Sequence, residues 1–387
     1  MRHLSPRAVL TGIGELKPQR RTQGVTTMEL LMRVSAEAMT DAAIAPDEVD
    51  GLLVAPQVGE TPQHVPATVA EYFGMQPTMS NMVDLGGASG PGMIWRAAAA
   101  IAAGQCETVL CVIGNHRNDP APRSPNRNPA REFDTPFGAS GANTSYALLM
   151  QAHMDAYGCT AEDYASIAAG SRANAQLNEM AIFYGKPASV EDILASPMVA
   201  SPLHLLEIVM PVAGADAVVV TTAERAKSAP HPPVYLLGAG EKITHRAVSQ
   251  APSLTSGPLK PSMERALSQA GMAVTDMDFL SFYDCYTIMV AATIEDAGLA
   301  KPGQFGAWLR DNGGMGPDAR QPINTHGGQI GFGQPDLAGG MTHVVEAVRQ
   351  IRGNAPNRQI KGCRTSLVTG NGATMSEAVA LVLGGDA

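Results

Sequence analysis

The chain repeats itself, and no other feature limits its possible folds so sharply. Residues 8–15 read Ala-Val-Leu-Thr-Gly-Ile-Gly-Glu, and residues 234–241 read Val-Tyr-Leu-Leu-Gly-Ala-Gly-Glu. Both read as a buried strand ending in a glycine turn. Residues 38–52 (AMTDAAIAPDEVDGL) match 266–280 (ALSQAGMAVTDMDFL) at nearly the same offset, each as the end of an amphipathic helix, a turn and a strand. A looser third echo follows. Gly86-Gly87 opens a helix before the strand Val109–Ile113, and Gly327-Gly328 is followed by a helix near 339–352 and the strand Ser366–Thr369. Two halves built from strand–helix–strand units predict an α/β fold of two similar sheets packed face to face, with helices between and outside them. The Pro/Ala-rich stretch Lys227–Pro233 is the natural joint, giving halves 1–226 and 227–387.

The 387 residues are 45% hydrophobic, enough for a large core, and no apolar run approaches the ~18 residues that span a membrane. The N-terminus shows no apolar signal segment, which predicts a cytoplasmic protein. A formal charge of −9 argues against a general nucleic-acid surface. Five cysteines without a Cys-x-x-Cys pair read as reduced, buried thiols, and no metal site is expected.

Thr26-x-x-Glu29, Thr160-x-x-Asp163 and Ser189-x-x-Asp192 read as helix starts. The stretch 115–141 is long, polar and Pro-rich, and with the residues that follow it reads as a loop insertion at about 115–160. Its arginines (Arg117, Arg123, Arg127, Arg131) suit phosphates, a partner chain or a solvated loop alike.

Four glycine-framed motifs carry the chemistry: Asp84-Leu-Gly-Gly-Ala-Ser-Gly90, Tyr283-Asp-Cys-Tyr-Thr287, Asn324-Thr-His-Gly-Gly through Gly-Gln334-Pro to Gly340, and Leu367-Val-Thr-Gly-Asn-Gly372. Their order and frame resemble the thiolase superfamily over nearly the whole chain, closest to the sterol carrier protein-type thiolases and their thiolase-like relatives. The resemblance implies a five-layered α-β-α-β-α fold with a pseudo-twofold duplication. It also marks what has changed. Gly87 stands where thiolases carry the nucleophilic cysteine, Gln334 where they carry a histidine, and Val368 where they carry the acid/base cysteine.

What remains sets the candidate site. The N–H groups at Gly87, Ala88 and Ser89 would open a helix and offer an oxyanion site. Ser89 Oγ is a nucleophile only with an activating base, and otherwise a turn or cap hydroxyl. Tyr283 is a phenol able to donate a hydrogen bond or pass a proton, with core packing as the alternative. Gln334 can donate to an oxyanion but cannot shuttle protons. His326 is a candidate base if it faces the pocket, and a structural histidine if it does not. Asp284 is expected to fix nearby backbone, and Asn371 and Gly370 to line the pocket. Cys285 matches a structural cysteine of the family. Asp216 sits one place off the family's Asp-Gly-Ala-Ala-Ala segment.

Loss of both cysteines removes the means for thiolysis, whereas aldol chemistry needs only a base, an oxyanion site and an acid. The resemblance therefore implies a carbon–carbon lyase, or aldolase, that cleaves a β-hydroxyacyl-CoA of the steroid side-chain or lipid-degradation type. The coenzyme A thioester is substrate, with no bound cofactor. An acyltransferase using a displaced nucleophile and a non-catalytic acyl-CoA or lipid-binding subunit of a lipid-transfer kind stay open. The family also implies a homodimer, with Val109–Ile113 at its C2 contact, and an OB-fold, zinc-ribbon partner protein.

Overall fold

The computed structural model describes residues 8–57, 62–117, 130–139 and 141–385. Its strands are β1 (Ala8–Glu15), β2 (Gly51–Val54), β3 (Met79–Met82), β4 (Thr108–Asn115), β5 (Met198–Ala200), β6 (Leu203–His204), β7 (Gly214–Thr222), β8 (Val234–Ile243), β9 (Phe279–Ser281), β10 (Thr365–Gly372) and β11 (Glu377–Gly384). Apart from the β5–β6 pair, they follow the order β3-β2-β4-β7-β1-β8-β11-β10-β9.

The two ends of that order have the same construction. In the first half β1 runs antiparallel to β7 and β7 to β4, while β4 and β2, then β2 and β3, are parallel. In the second half β8 runs antiparallel to β11 and β11 to β10, while β10 and β9 are parallel, and Leu280 of β9 bridges in parallel to Ile323. The halves meet at β1 and β8 through only two pairs, Val9–Tyr235 and Leu10–Val234. The sequence echoes fall on equivalent elements: β1 with β8, the turns before β2 and β9, and β4 with β10.

Strand alternation sorts the core into layers. Leu110 and Val112 of β4 face the outer helix Thr27–Ala42, while Val109, Cys111 and Ile113 face the inner cluster. In the second half Leu367, Ala380 and Val382 face the outer helices Leu259–Ala270 and Thr287–Asp296, while Val368, Val379 and Leu381 face inward. The inner cluster is built around two central helices, Ser89–Ala102 (Met93, Ile94, Ala97) and Gly339–Arg352 (Met341, Val344, Val348). Outer helix, half-sheet, central helices, half-sheet and outer helices make the five layers.

The paired glycines of β1 and β8 lie inside their strands and not in a turn, which corrects the sequence reading. A Cβ on Gly12 would stand 2.2 Å from the Ala38 carbonyl oxygen, and one on Gly14 would stand 2.4 Å from that of Val34. At Gly238 and Gly240 the corresponding distances, to Ala266 and Ser262, are both 2.1 Å. Each half uses the same device to seat its outer helix directly on the strand backbone.

Two further corrections follow. Val109–Ile113 offers no dimer surface: β4 is hydrogen-bonded to β2 and β7, and all its residues are buried. Its apolar run reflects cover on both faces. The open edge of the first half is β3, where Met82 is exposed. The excursion between β4 and β7 runs from 116 to 213 rather than to about 160, and its helices Gly141–Tyr157 and Ala161–Ala175 pack into the second half's outer core. Arg123, Arg127 and the side chain of Arg131 fall outside the described residues, while the Arg117 N–H donates to Thr22 Oγ1 at 3.0 Å. Thr160 and Ser189 form reciprocal caps with Asp163 and Asp192, and Thr26 accepts from the Glu29 N–H at 3.2 Å. Among the described residues no helix is long and apolar enough to cross a membrane.

Candidate active site

The site lies where the two central helices begin and β9 and β10 end. Asn324 closes it from below. Its Oδ1 accepts from the Phe282 N–H at 2.8 Å and its Nδ2 donates to the Phe282 carbonyl at 2.8 Å. The amide thus stands in for a neighbouring strand just past β9. The next residue, Tyr283, donates its N–H to Thr369 Oγ1 of β10 at 2.9 Å. Tyr283 is fixed on both sides, and its buried ring points at the start of helix Ser89–Ala102.

There the phenol meets Gly87. A Cβ at that position would stand 1.9 Å from the Tyr283 hydroxyl oxygen and 2.7 Å from the Asn371 carbonyl oxygen. The hydroxyl fills the volume that a side chain at Gly87 would need. Gln334 Nε2 donates to this oxygen at 3.0 Å. The Gln334 backbone is itself pinned, its N–H to the Met210 carbonyl and its carbonyl to the Val212 N–H, both at 2.9 Å. Burial holds the phenol pKa well above its ordinary value, with Cys285 adding to the rise and the Gln334 amide opposing it. Tyr283 is therefore a neutral proton donor at physiological pH.

Asp284 turns away from the phenol. Its carboxyl accepts from the backbone N–H groups of Gln329 (2.7 Å) and Ile330 (3.3 Å), at the start of the short helix Gly328–Phe332. Burial raises its pKa, partly offset by His343. His343 is a participant that the sequence reading missed. Its Nε2 lies 3.2 Å from Asp284 Oδ1, and its Nδ1 lies 3.0 Å from Ser281 Oγ. It sits outside the four glycine frames, and only its place one turn into helix Gly339–Arg352 pointed inward.

His326 does not join Tyr283 and Gln334. Among the described residues neither of its ring nitrogens has a hydrogen-bond partner, and its ring stands edge-on to His343 with centroids 5.1 Å apart. Burial, reinforced by His343, drives its pKa well below the ordinary value, so the ring is neutral. It has no hydrogen bond through which to take a proton from the phenol.

Ser89 is a turn residue. Its Oγ donates to the Gly86 carbonyl at 2.7 Å and accepts from the Leu85 N–H at 2.9 Å, and among the described residues it bonds to no base. The Ala88 and Ser89 N–H groups are also engaged, with the Leu85 and Gly86 carbonyls at 3.0 Å each. This corrects the expectation of free N–H groups at Ala88 and Ser89 and leaves the Gly87 N–H as the candidate oxyanion donor of that set. Gly370 serves close approach, since a Cβ would stand 2.9 Å from Ala88 Cα. Asn371 Nδ2 donates to the Tyr146 hydroxyl at 2.8 Å, and among the described residues its buried Oδ1 has no partner. Tyr146, from the excursion, stacks on Tyr286 at 4.1 Å. Burial pushes the Cys285 thiol up to about 12, and Val368 is wholly buried in the inner core. Asp216 is also buried, accepting from Thr342 Oγ1 at 3.0 Å behind the site. A groove of about 530 Å³ lined by Trp95, Glu241, Lys242 and Arg265 includes none of these site residues.

Comparison with known proteins bears on the fold and the family. Residues 240–385 match the thiolase C-terminal domain-like family. The chain is 29% identical to a steroid side-chain-cleaving aldolase of Thermomonospora curvata, over 98% of each chain. It is 28% identical to a 17-hydroxy-3-oxo-4-pregnene-20-carboxyl-CoA lyase of Mycobacterium tuberculosis, over 98% of this chain and all of that one. Among solved structures, the Ltp2-ChsH2(DUF35) aldolase superposes with a TM-score of 0.88 at 28% identity, covering 98% of this chain and 97% of that one. The chain is thus similar to the thiolase superfamily, on the branch shared by sterol carrier protein-type thiolases and acyl-CoA aldolases.

Proposed function

We propose that this protein is an aldolase that cleaves the Cα–Cβ bond of a β-hydroxyacyl-CoA thioester without a covalent enzyme intermediate. One observation carries the reading: the Tyr283 hydroxyl, held by Gln334, occupies the space a nucleophile at Gly87 would need. The site has exchanged a thiol for a phenol at the same point.

The chemistry balances around that phenol. The substrate's β-hydroxyl loses its proton, its oxygen pair forms the carbonyl of the departing ketone or aldehyde, and the Cα–Cβ bond breaks. The bonding pair passes into a thioester enolate, which takes a proton at Cα. The proton leaving oxygen equals the proton arriving at carbon, so one relay serves both transfers. Tyr283 gives its proton to Cα and receives the hydroxyl's, returning to the neutral phenol. Gln334 Nε2 steadies the phenol oxygen as charge passes through it, the kind of preorganised donor worth about 3 kcal/mol of barrier.

The same proposal extends to the finer points. The acyl group is of steroid side-chain or related lipid kind, by analogy with the two named relatives. The chain acts as a homodimer with a second protein in the cytoplasm, and its two halves divide at 226/227. Against the acyltransferase alternative stands Ser89, its named candidate nucleophile, whose Oγ spends its proton and an acceptor position on the turn.

A mass-spectrometric product assay tests the reading. It would use secondary and tertiary β-hydroxyacyl-CoA substrates, a 3-ketoacyl-CoA with free coenzyme A, and the protein with and without a candidate partner. Release of a ketone or aldehyde and a shortened acyl-CoA from a hydroxy substrate supports it. Turnover of the keto substrate alone overturns it.

A further inference from the structure

The cleavage steps leave one buried polar atom near Tyr283 unused, the side-chain oxygen of Asn371. We propose that Asn371 Oδ1 is the acceptor for the substrate's β-hydroxyl, and that Tyr146, from the excursion, is the positioning residue that keeps this oxygen free for it. The identity of the donor rests on the aldolase reading above, whereas the orientation of the amide does not.

Asn371 is only 2% exposed, yet among the described residues its Oδ1 has no partner. Its place on β10 brings it close to the phenol. Strand alternation sets Thr369 and Asn371 on one face, and Thr369 Oγ1 accepts the Tyr283 N–H at 2.9 Å. The Asn371 carbonyl oxygen and the Tyr283 hydroxyl also converge on one point, 2.7 Å and 1.9 Å from where Gly87 would carry a Cβ. A desolvated acceptor without a donor is costly and uncommon, and a ligand that brings a donor there regains the bond.

Proton count sets which way the amide faces. The Tyr146 hydroxyl has a single proton and donates it to the Ala373 carbonyl at 2.8 Å. Towards Asn371 its oxygen can then only accept, and the group it meets at 2.8 Å is Nδ2. The same nitrogen lies 3.5 Å from the Ala373 carbonyl oxygen. A turned amide would set Oδ1 against these two oxygens, neither with a proton to give. Tyr146 is itself held. Its ring stacks on Tyr286 at 4.1 Å, and the Tyr286 hydroxyl donates at 2.7 Å to Oδ1 of Asn143, which shares the helix Gly141–Tyr157 with Tyr146. Oδ1 of Asn371 is thereby left for a donor that arrives with the ligand. In a β-hydroxyacyl thioester the O–H beside the bond that breaks is the β-hydroxyl. An amide oxygen holds that proton without removing it. The bond therefore orients the hydroxyl in the bound complex, and transfer to Tyr283 follows.

A matched pair of ligands tests this: the best hydroxy substrate of the product assay, or β-hydroxyoctanoyl-CoA if none is cleaved, and the same acyl-CoA without its hydroxyl. Binding is read by titration calorimetry in the full-length Tyr283→Phe variant, which holds the hydroxy ligand without turnover. The hydroxyl should tighten binding about tenfold, the scale of one neutral hydrogen bond. Adding Asn371→Leu, which removes the acceptor, should bring that ratio to about one and leave the deoxy ligand within about twofold. Adding Tyr146→Phe, which keeps the stack and frees the amide to turn, should bring it to about threefold or less. With Tyr283 intact, both substitutions should raise KM more than they lower kcat. A ratio near one before Asn371 is changed, or a ratio unmoved by Asn371→Leu, would overturn the proposal. Equal weakening of both ligands would also overturn it, by placing Oδ1 on the coenzyme arm. A ratio unmoved by Tyr146→Phe would overturn the positioning role. Selective binding of the hydroxy ligand with no cleavage by the wild type would uphold the site and count against the aldolase reading alone, whereas binding of neither ligand would overturn both. If Asn371→Leu does not fold, Asn371→Ala carries the same expectation.

Discussion

The hydroxyl oxygen of Tyr283 stands 1.9 Å from the point where Gly87 would carry a Cβ. The two residues are one feature: the phenol requires the glycine, and a side chain at Gly87 would require the phenol to leave. Gly87→Ala should displace Tyr283 and cost roughly 1–3 kcal/mol in overpacking. Gly87→Cys should restore no thiolysis and lose cleavage as well. Thermal unfolding and the product assay read both. Full cleavage activity in Gly87→Ala would separate the pair.

Gln334 contributes one preorganised donor. Gln334→Met keeps most of the volume and removes the N–H, so kcat should fall roughly 10²-fold with little change in KM. Steady-state kinetics on the same hydroxyacyl-CoA checks this. A change confined to KM would make Gln334 a binding residue instead.

The glycines of the duplicated strands should matter equally in both halves. Gly12→Ala and Gly238→Ala each place a methyl about 2.2 Å or less from a helix carbonyl oxygen. Each should lower stability by about 1–3 kcal/mol and leave KM unchanged. Denaturant melts of the two variants should show losses of similar size. A neutral result in either would break the symmetry of the device.

Glu346 links stability to pH. Burial, the largest single effect, would raise its pKa, but Arg358 and the other charges and donors around it together outweigh that and hold it at about 2, against 4.5 for the free group. Arg358 Nη2 lies 3.0 Å from Glu346 Oε2, and Thr325 and Gln350 also donate to this carboxylate. A depressed pKa contributes stability that is complete above about pH 4.5 and is lost as pH falls toward 2, on the order of 3 kcal/mol. Glu346→Gln should flatten the acid limb of the stability curve between pH 5 and pH 2. An unchanged limb would place the acid sensitivity elsewhere.

Much of the architecture was legible because repetition is written in the residues that packing makes costly to change. Gly12 with Gly14 and Gly238 with Gly240 repeat since both helices sit on strand backbone, although the sequence suggested a turn there. The exchanged residues at Gly87, Gln334 and Val368 were equally plain, each being read against a retained frame. The reading failed where function depends on distance across the chain. His343 carries no motif, and its partners Ser281 and Asp284 come from another segment. His326 lies in the best-framed motif, yet its ring stands edge-on to His343 and has no hydrogen-bond partner among the described residues. Apolarity misled at β4, since a strand covered on both faces and a strand at a subunit contact share one composition.

The central claim is that a phenol performs this cleavage without an acyl-enzyme. It is tested most directly by single-turnover reaction of wild type and Tyr283→Phe with a β-hydroxyacyl-CoA, quenched and read by mass spectrometry of both product and intact protein. Cleavage by wild type with no mass added to the chain, and a loss of roughly 10²-fold or more in Tyr283→Phe, is the predicted result. An acyl adduct on the protein, or cleavage undiminished by loss of the hydroxyl, would contradict it.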